Sequence, residues 1–169
     1  MDPILDKARS AQNILEKLMN AIPGFSGYRE KELRRDADRL QREYLAQRLG
    51  QNKKSLDHAA AAATRAPNLD LINDIETARK RMDKVQNRIL FADRGYSAFF
   101  AAIKVDEGVL GRAYQFDLSL IQNVEATTTA CNAIAAAPDK TAALQSVIAQ
   151  LDAMDAALNE REAILSGVK

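Results

Sequence analysis

Few residues in this chain have the types and spacing that chemistry needs. There is one histidine, His58, and one cysteine, Cys131. A Cys–His pair can act as nucleophile and base, but Cys131 falls in an apolar helix seam, which points to a buried structural thiol. His58 borders a run of alanines and reads as a partly exposed bundle residue. A di-iron site in a bundle needs Glu-x-x-His motifs on two helices. Here the single histidine has Ser55, not Glu, three residues before it. Zinc fares no better with one Cys and one His. Gly24-Phe25-Ser26-Gly27 precedes a helix, as phosphate-binding loops do, but lacks the Gly-Lys-Ser/Thr that completes one, and it reads as a helix–helix turn. No catalytic, cofactor-binding or metal-binding residue is assigned, and the chain is expected not to be an enzyme.

Asp117 is the residue that stands out. A seam at 4-3 spacing runs through Leu110, Ala113, Asp117, Leu120, Val124, Thr127, Cys131 and Ile134, and Asp117 occupies a step that calls for an apolar side chain. A carboxylate there must be paired or hydrogen-bonded, because isolated burial of a charge is strongly unfavourable. Tyr114, one turn earlier on nearly the same face, could donate a hydrogen bond. The expected ionic partner comes from a basic stripe, Lys31, Arg35, Arg39 and Arg42, which Glu30, Asp36 and Asp38 partly neutralise through pairs such as Asp38–Arg42. Asp117 with Arg35 or Arg39 would be a buried pair that fixes helix register. The functional alternative is a polar pocket, inside the bundle, for a small ligand.

Aromatic residues form the second unusual feature. Three of the five phenylalanines, Phe91, Phe99 and Phe100, fall within ten residues around Gly95 and Tyr96. This segment reads as a bent connection capping the core. The alternative is an exposed patch of Tyr96, Phe99 and Phe100, with Phe25 and Tyr28 at the other corner, for a partner or a membrane surface.

These residues must be positioned by helices. The 169-residue chain is 47% hydrophobic and 28% charged, a balance suited to one folded domain over 1–169. Alanine and leucine dominate, tryptophan is absent, and no alternating β-branched run suggests a strand. Asp2 and Pro3 start an amphipathic N-terminal helix over 1–22, with a stripe of Ile4, Ala8, Ala11, Leu15, Leu18 and Ile22. Long bundle helices are expected over 28–137. The first of them carries the stripe Leu33, Ala37, Leu40 and Tyr44, with Leu45 and Leu49 flanking it, and ends before Pro67, with a kink near Gly50. The next begins after the N-cap Asn68 and carries Leu71, Ile75, Ala78, Met82, Val85, Ile89 and Ala92. A fourth helix follows over roughly 105–137. The last helix, 139–166, has Asp139 as N-cap and leucines at 144, 151, 158 and 165, a coiled-coil seam that is either internal or between chains. The expected fold is an all-α antiparallel bundle of four to five helices with coiled-coil-like packing.

Charge is unevenly spread. Residues 1–104 hold 20 Lys and Arg against 14 Asp and Glu, whereas residues 105–169 hold 4 against 9. The two halves are expected to face each other, within one chain or between two; a polyanion partner for the basic half is the sharper alternative. The N-terminus lacks a signal-peptide pattern and no stretch has the length of a membrane span, so the expected location is cytoplasmic.

Three segments, Gly27 to Asp38, Gly95 to Phe100, and Leu110 with Tyr114-Gln115-Phe116-Asp117, resemble an uncharacterised group of small bacterial all-helical proteins over roughly residues 20–125. The resemblance implies a helical fold and carries no activity, cofactor or site residue with it.

The expected function is a non-enzymatic interaction or scaffold protein that self-associates, with Leu144, Leu151, Leu158 and Leu165 as oligomer seam. One alternative is a peripheral protein binding an anionic membrane surface through its amphipathic helix and basic stripe. The other is a small-ligand binder at Asp117. Nucleic acid is disfavoured, because the basic stripe lacks interleaved aromatics and a helix-turn-helix signal.

Overall fold

The structure, a computed structural model, describes residues 16–17, 19–22, 31–65, 68–92 and 107–166; of 31–38, 65, 107–110 and 164–166 only the backbone is described. The described elements are helices throughout: α1 (Lys31–Gln51), α2 (Lys53–Arg65), α3 (Leu69–Phe91), α4 (Glu107–Ala133), a 3-10 turn (Ile134–Ala136) and α5 (Lys140–Ser166). This is the all-α helical bundle that the composition and periodicity imply. Asn68 caps α3 as expected, its Oδ1 accepting from the Leu71 N–H at 3.1 Å. Asp139 does the same for α5, its Oδ1 accepting from the Ala142 N–H at 2.9 Å. Among the described residues no helix is long and apolar enough to cross a membrane.

The expected single helix from Tyr28 to Pro67 is interrupted at Asn52 rather than bending at Gly50. The Asn52 N–H bonds back to the Leu49 carbonyl at 3.1 Å, and the Asn52 carbonyl accepts from Ser55 at 3.1 Å, so one helix ends and the next begins within a single residue. Gly50 serves a different purpose: a Cβ there would lie 2.7 Å from Gln86 Nε2 of α3. The expected stripe is also displaced. Leu40 and Tyr44 are half-buried, and the buried face lies one position on, at Gln41, Leu45 and Leu49. Alternative stripes one residue apart are both partly apolar here, so periodicity alone does not separate them.

The chain divides into two compact units. One draws on Leu45–Ala92 and Gln122–Leu158, the other on Met1–Tyr44, Asp93–Ile121 and Asn159–Lys169.

In the first of these, four helical segments bury continuous apolar seams. Leu71, Ile75, Ala78, Met82, Val85 and Ile89 of α3 are buried, as are Val124, Thr127 and Cys131 of α4 and Leu144, Val147, Leu151, Met154 and Leu158 of α5. Each large apolar side chain so buried stabilises by roughly 1.5–3 kcal/mol before entropy is counted. The leucine seam is therefore internal: Leu144, Leu151 and Leu158 are spent within one chain, which corrects their reading as an oligomer contact. The Leu165 side chain lies outside the described residues.

Polar pairs give the directions of these helices. Lys53 with Asp83 and Asp57 with Arg79 show α2 and α3 antiparallel, since one number rises as the other falls. Arg48 with Glu125, Asn52 with Thr128 and Ser55 with Asn132 rise together, so α4 runs parallel to the end of α1 and the start of α2. Asp74 with Gln145, Arg81 with Asp152 and Lys84 with Asp155 likewise make α3 and α5 parallel. Two antiparallel hairpins, α2–α3 and α4–α5, thus meet through like-directed helices.

The other unit contains Ile22, fully buried, and the first part of α4. There α4 buries a wider face than a two-position seam, comprising Ala113, Tyr114, Asp117, Leu118, Leu120 and Ile121. The end of α5 contributes the buried Arg161.

Candidate functional site

Asp117 is the obvious centre of any site, and it lies where the 4-3 repeat of α4 places it: inside, with 0% exposure. Its neighbours on the repeat, Ala113 and Leu120, are buried as well, so the seam is continuous and the charge interrupts it. A buried carboxylate needs a cation with matching hydrogen-bond geometry. Arg161 of α5, 5% exposed, supplies it. Its Nε donates to Asp117 Oδ1 at 2.9 Å and its Nη2 lies 2.8 Å from the same oxygen. The guanidinium carbon also stands 5.7 Å from the centroid of the Phe116 ring, within reach of a cation–π contact. Guanidinium suits this place because it stays charged, is weakly hydrated, and presents a planar fork with an aromatic-facing surface.

Of the two arginines expected to pair with Asp117, Arg39 is placed elsewhere. Arg39 has a side chain 73% exposed and bonds Glu43, one turn on in its own helix, at 2.8 Å. It is a surface residue, not the buried partner of Asp117. The Arg35 side chain lies outside the described residues. Tyr114 is buried one turn before Asp117, as its spacing implies. The aromatic residues Tyr96, Phe99, Phe100, Phe25 and Tyr28 all lie outside the described residues. Phe91, which leads into that segment, is 71% exposed at the end of α3.

Arg161 was legible in the sequence once the seam of α5 is followed to its end. Leu144, Val147, Leu151, Met154 and Leu158 step by 3 and 4, and the next step lands on Arg161. Each of the last two helices therefore carries one charge in an apolar seam, of opposite sign. The two charges also stand at nearly equal distance from the connection, 21 residues before Pro138 and 23 after it. A hairpin joined at that connection brings such positions level, since both arms rise about 1.5 Å per residue. The density of basic residues, by contrast, points to the stripe from Lys31 to Arg42.

The remaining candidates for chemistry are quiet. Cys131 is buried, and desolvation pushes its thiol up to about 11, which keeps it protonated and unreactive at neutral pH. His58 is exposed on α2. Among the described residues no group of three or more His, Cys, Asp and Glu gathers closely enough to hold a metal ion. Thr127, fully buried in the α4 seam, satisfies its hydroxyl by donating to the Asn123 carbonyl at 2.8 Å.

What the Asp117–Arg161 arrangement can do is hold a register. The carboxylate and the guanidinium meet with good geometry in a dry setting, so separating them costs a buried charge–charge contact. No protein-family model matches the chain, and no curated protein or solved structure is detectably similar to it.

Proposed function

We propose that this chain is a non-enzymatic interaction or scaffold protein, which acts by presenting a helical surface to another protein, a second copy included. Phe91 carries this reading. It closes a helix whose seam from Leu71 to Ile89 is buried, yet it stands 71% exposed itself. Large exposed aromatics are common at the centres of protein interfaces. In sequence it leads directly into Tyr96, Phe99 and Phe100. The buried pairing of Asp117 with Arg161 supports a structural role for that pair over a ligand pocket.

The test is site-specific photo-crosslinking in the cells that make the protein, with a benzophenone amino acid at position 91 and, as control, at the exposed Lys54. A discrete adduct from position 91 that is absent from position 54 is expected. Its mass distinguishes a second copy from a different protein. Failure to form any adduct at 91 overturns the proposal, and co-sedimentation with anionic vesicles in its place would move the surface to a membrane.

A further inference from the structure

Helix α4 belongs to both units: its residues up to Ile121 fall in one, and those from Gln122 in the other. Its two parts are built differently. In the second part the buried positions are Val124, Thr127 and Cys131, none of them charged. In the first, the buried face holds the Asp117 carboxylate, met by the Arg161 guanidinium. Opening an apolar layer only exposes apolar surface to water. Opening this one also rehydrates two ions, which recovers part of what their burial cost.

Both glycines of α4, Gly108 and Gly111, also lie in its first part. Glycine inside a helix weakens it, because the unfolded chain has more freedom to lose on folding. At Gly50 packing supplies a reason for glycine, since a Cβ would press on Gln86, whereas at Gly111 a Cβ would meet nothing within 4 Å. No close approach demands Gly111, so its effect falls on the helix itself.

We infer that the first part of α4 is built to open on its own, residues 113–121 unravelling while residues 124–131 stay helical and buried. Contiguous segments of a native protein open separately where their local stability is lower. The stretch that opens carries Tyr114, Leu118, Leu120 and Ile121 beside Asp117, so opening uncovers a face that the closed chain hides. This conformational device is independent of the Phe91 reading, and either can fail alone.

Residue-resolved hydrogen exchange on the native full-length protein tests it, because a segment that opens alone has its own protection. Amides of residues 114–120 are expected to be about tenfold less protected than those of 124–131, with a weaker dependence on added urea. Two substitutions then assign the difference. Gly111→Ala should raise protection of the first group roughly fivefold and leave the second unchanged. Arg161→Met should lower protection of the first group by about a hundredfold, again leaving the second unchanged. Three outcomes would overturn the inference: equal protection of the two groups in the parent, Gly111→Ala protecting both alike, or Arg161→Met losing protection throughout. Each would mean that α4 opens only with the whole molecule.

Discussion

The two units handle charge in opposite ways. In one, Asp117 and Arg161 sit inside the core, on the seams themselves. In the other, the seams of α3 and α5 are apolar throughout, and the charges stand at the margins, as in Arg81–Asp152 and Lys84–Asp155, with most side chains about half exposed. A central pair is desolvated, so each member depends strongly on its buried polar partners. A marginal pair is solvated before and after folding, so it adds little energy and chiefly selects which helices meet. Position relative to the seam, more than the number of pairs, decides what an ion pair does.

The comparison breaks most sharply at the centre. Arg161→Met should cost about 3–5 kcal/mol, because it removes the guanidinium that meets the buried Asp117 carboxylate. Asp117→Leu should cost a comparable amount by removing the carboxylate that the buried guanidinium meets. The double change should recover most of the loss, since two apolar side chains replace two compensated charges. Urea melts of the four proteins, read as a double-mutant cycle, check this. If the single losses simply add, Asp117 and Arg161 do not depend on each other and the contrast between units falls.

Next in size is Leu151→Ala, in the unit whose charges are marginal. Removing this fully buried side chain should cost about 2–5 kcal/mol, through lost burial and the cavity left behind. The same melts should show no change in its salt dependence, because apolar contacts at the seam hold that unit.

The marginal pairs come third. Burial alone pushes the Asp155 carboxyl up, but hydrogen bonds and charge from Lys84 and Arg88 outweigh it and hold it below the usual carboxylate range. A depressed folded-state pKa means the stabilising effect is complete above the unfolded value of about 3.9 and is lost as pH falls through the folded one. Asp155→Asn should therefore cost about 1 kcal/mol or less at pH 7. The difference from the parent should vanish well below pH 4. A cost at pH 7 matching that of Arg161→Met would show that marginal and central pairs do not differ.

The smallest effect expected is at Gly50. An alanine there gains helix propensity of about 1 kcal/mol, but its Cβ meets the end of the Gln86 side chain. That amide is flexible and half-exposed, so it can swing aside. Gly50→Ala should be neutral or raise the melting temperature by a few degrees in a calorimetric scan. A clear loss would mean that α1 and α3 need the close approach itself.

Much of this molecule can be read without its structure, and the residues show why. Asn68 and Asp139 cap helices because a side-chain oxygen three residues before a free N–H is a local arrangement. Leu71 to Ile89 form a buried stripe because helical periodicity is also local. That Asp117 needs a cation follows from its place in an apolar repeat. By itself, then, the sequence determined that the chain is helical, where most helices begin, which faces are apolar, and that one carboxylate must be compensated. Tertiary structure alone decided that Leu144, Leu151 and Leu158 are consumed within one chain and that the hairpins meet through parallel helices. The physical reason is that a 4-3 apolar repeat fits any other such repeat, in either direction and from either the same chain or another. Only the non-local match of seam, charge and connection length picks one pairing from that set.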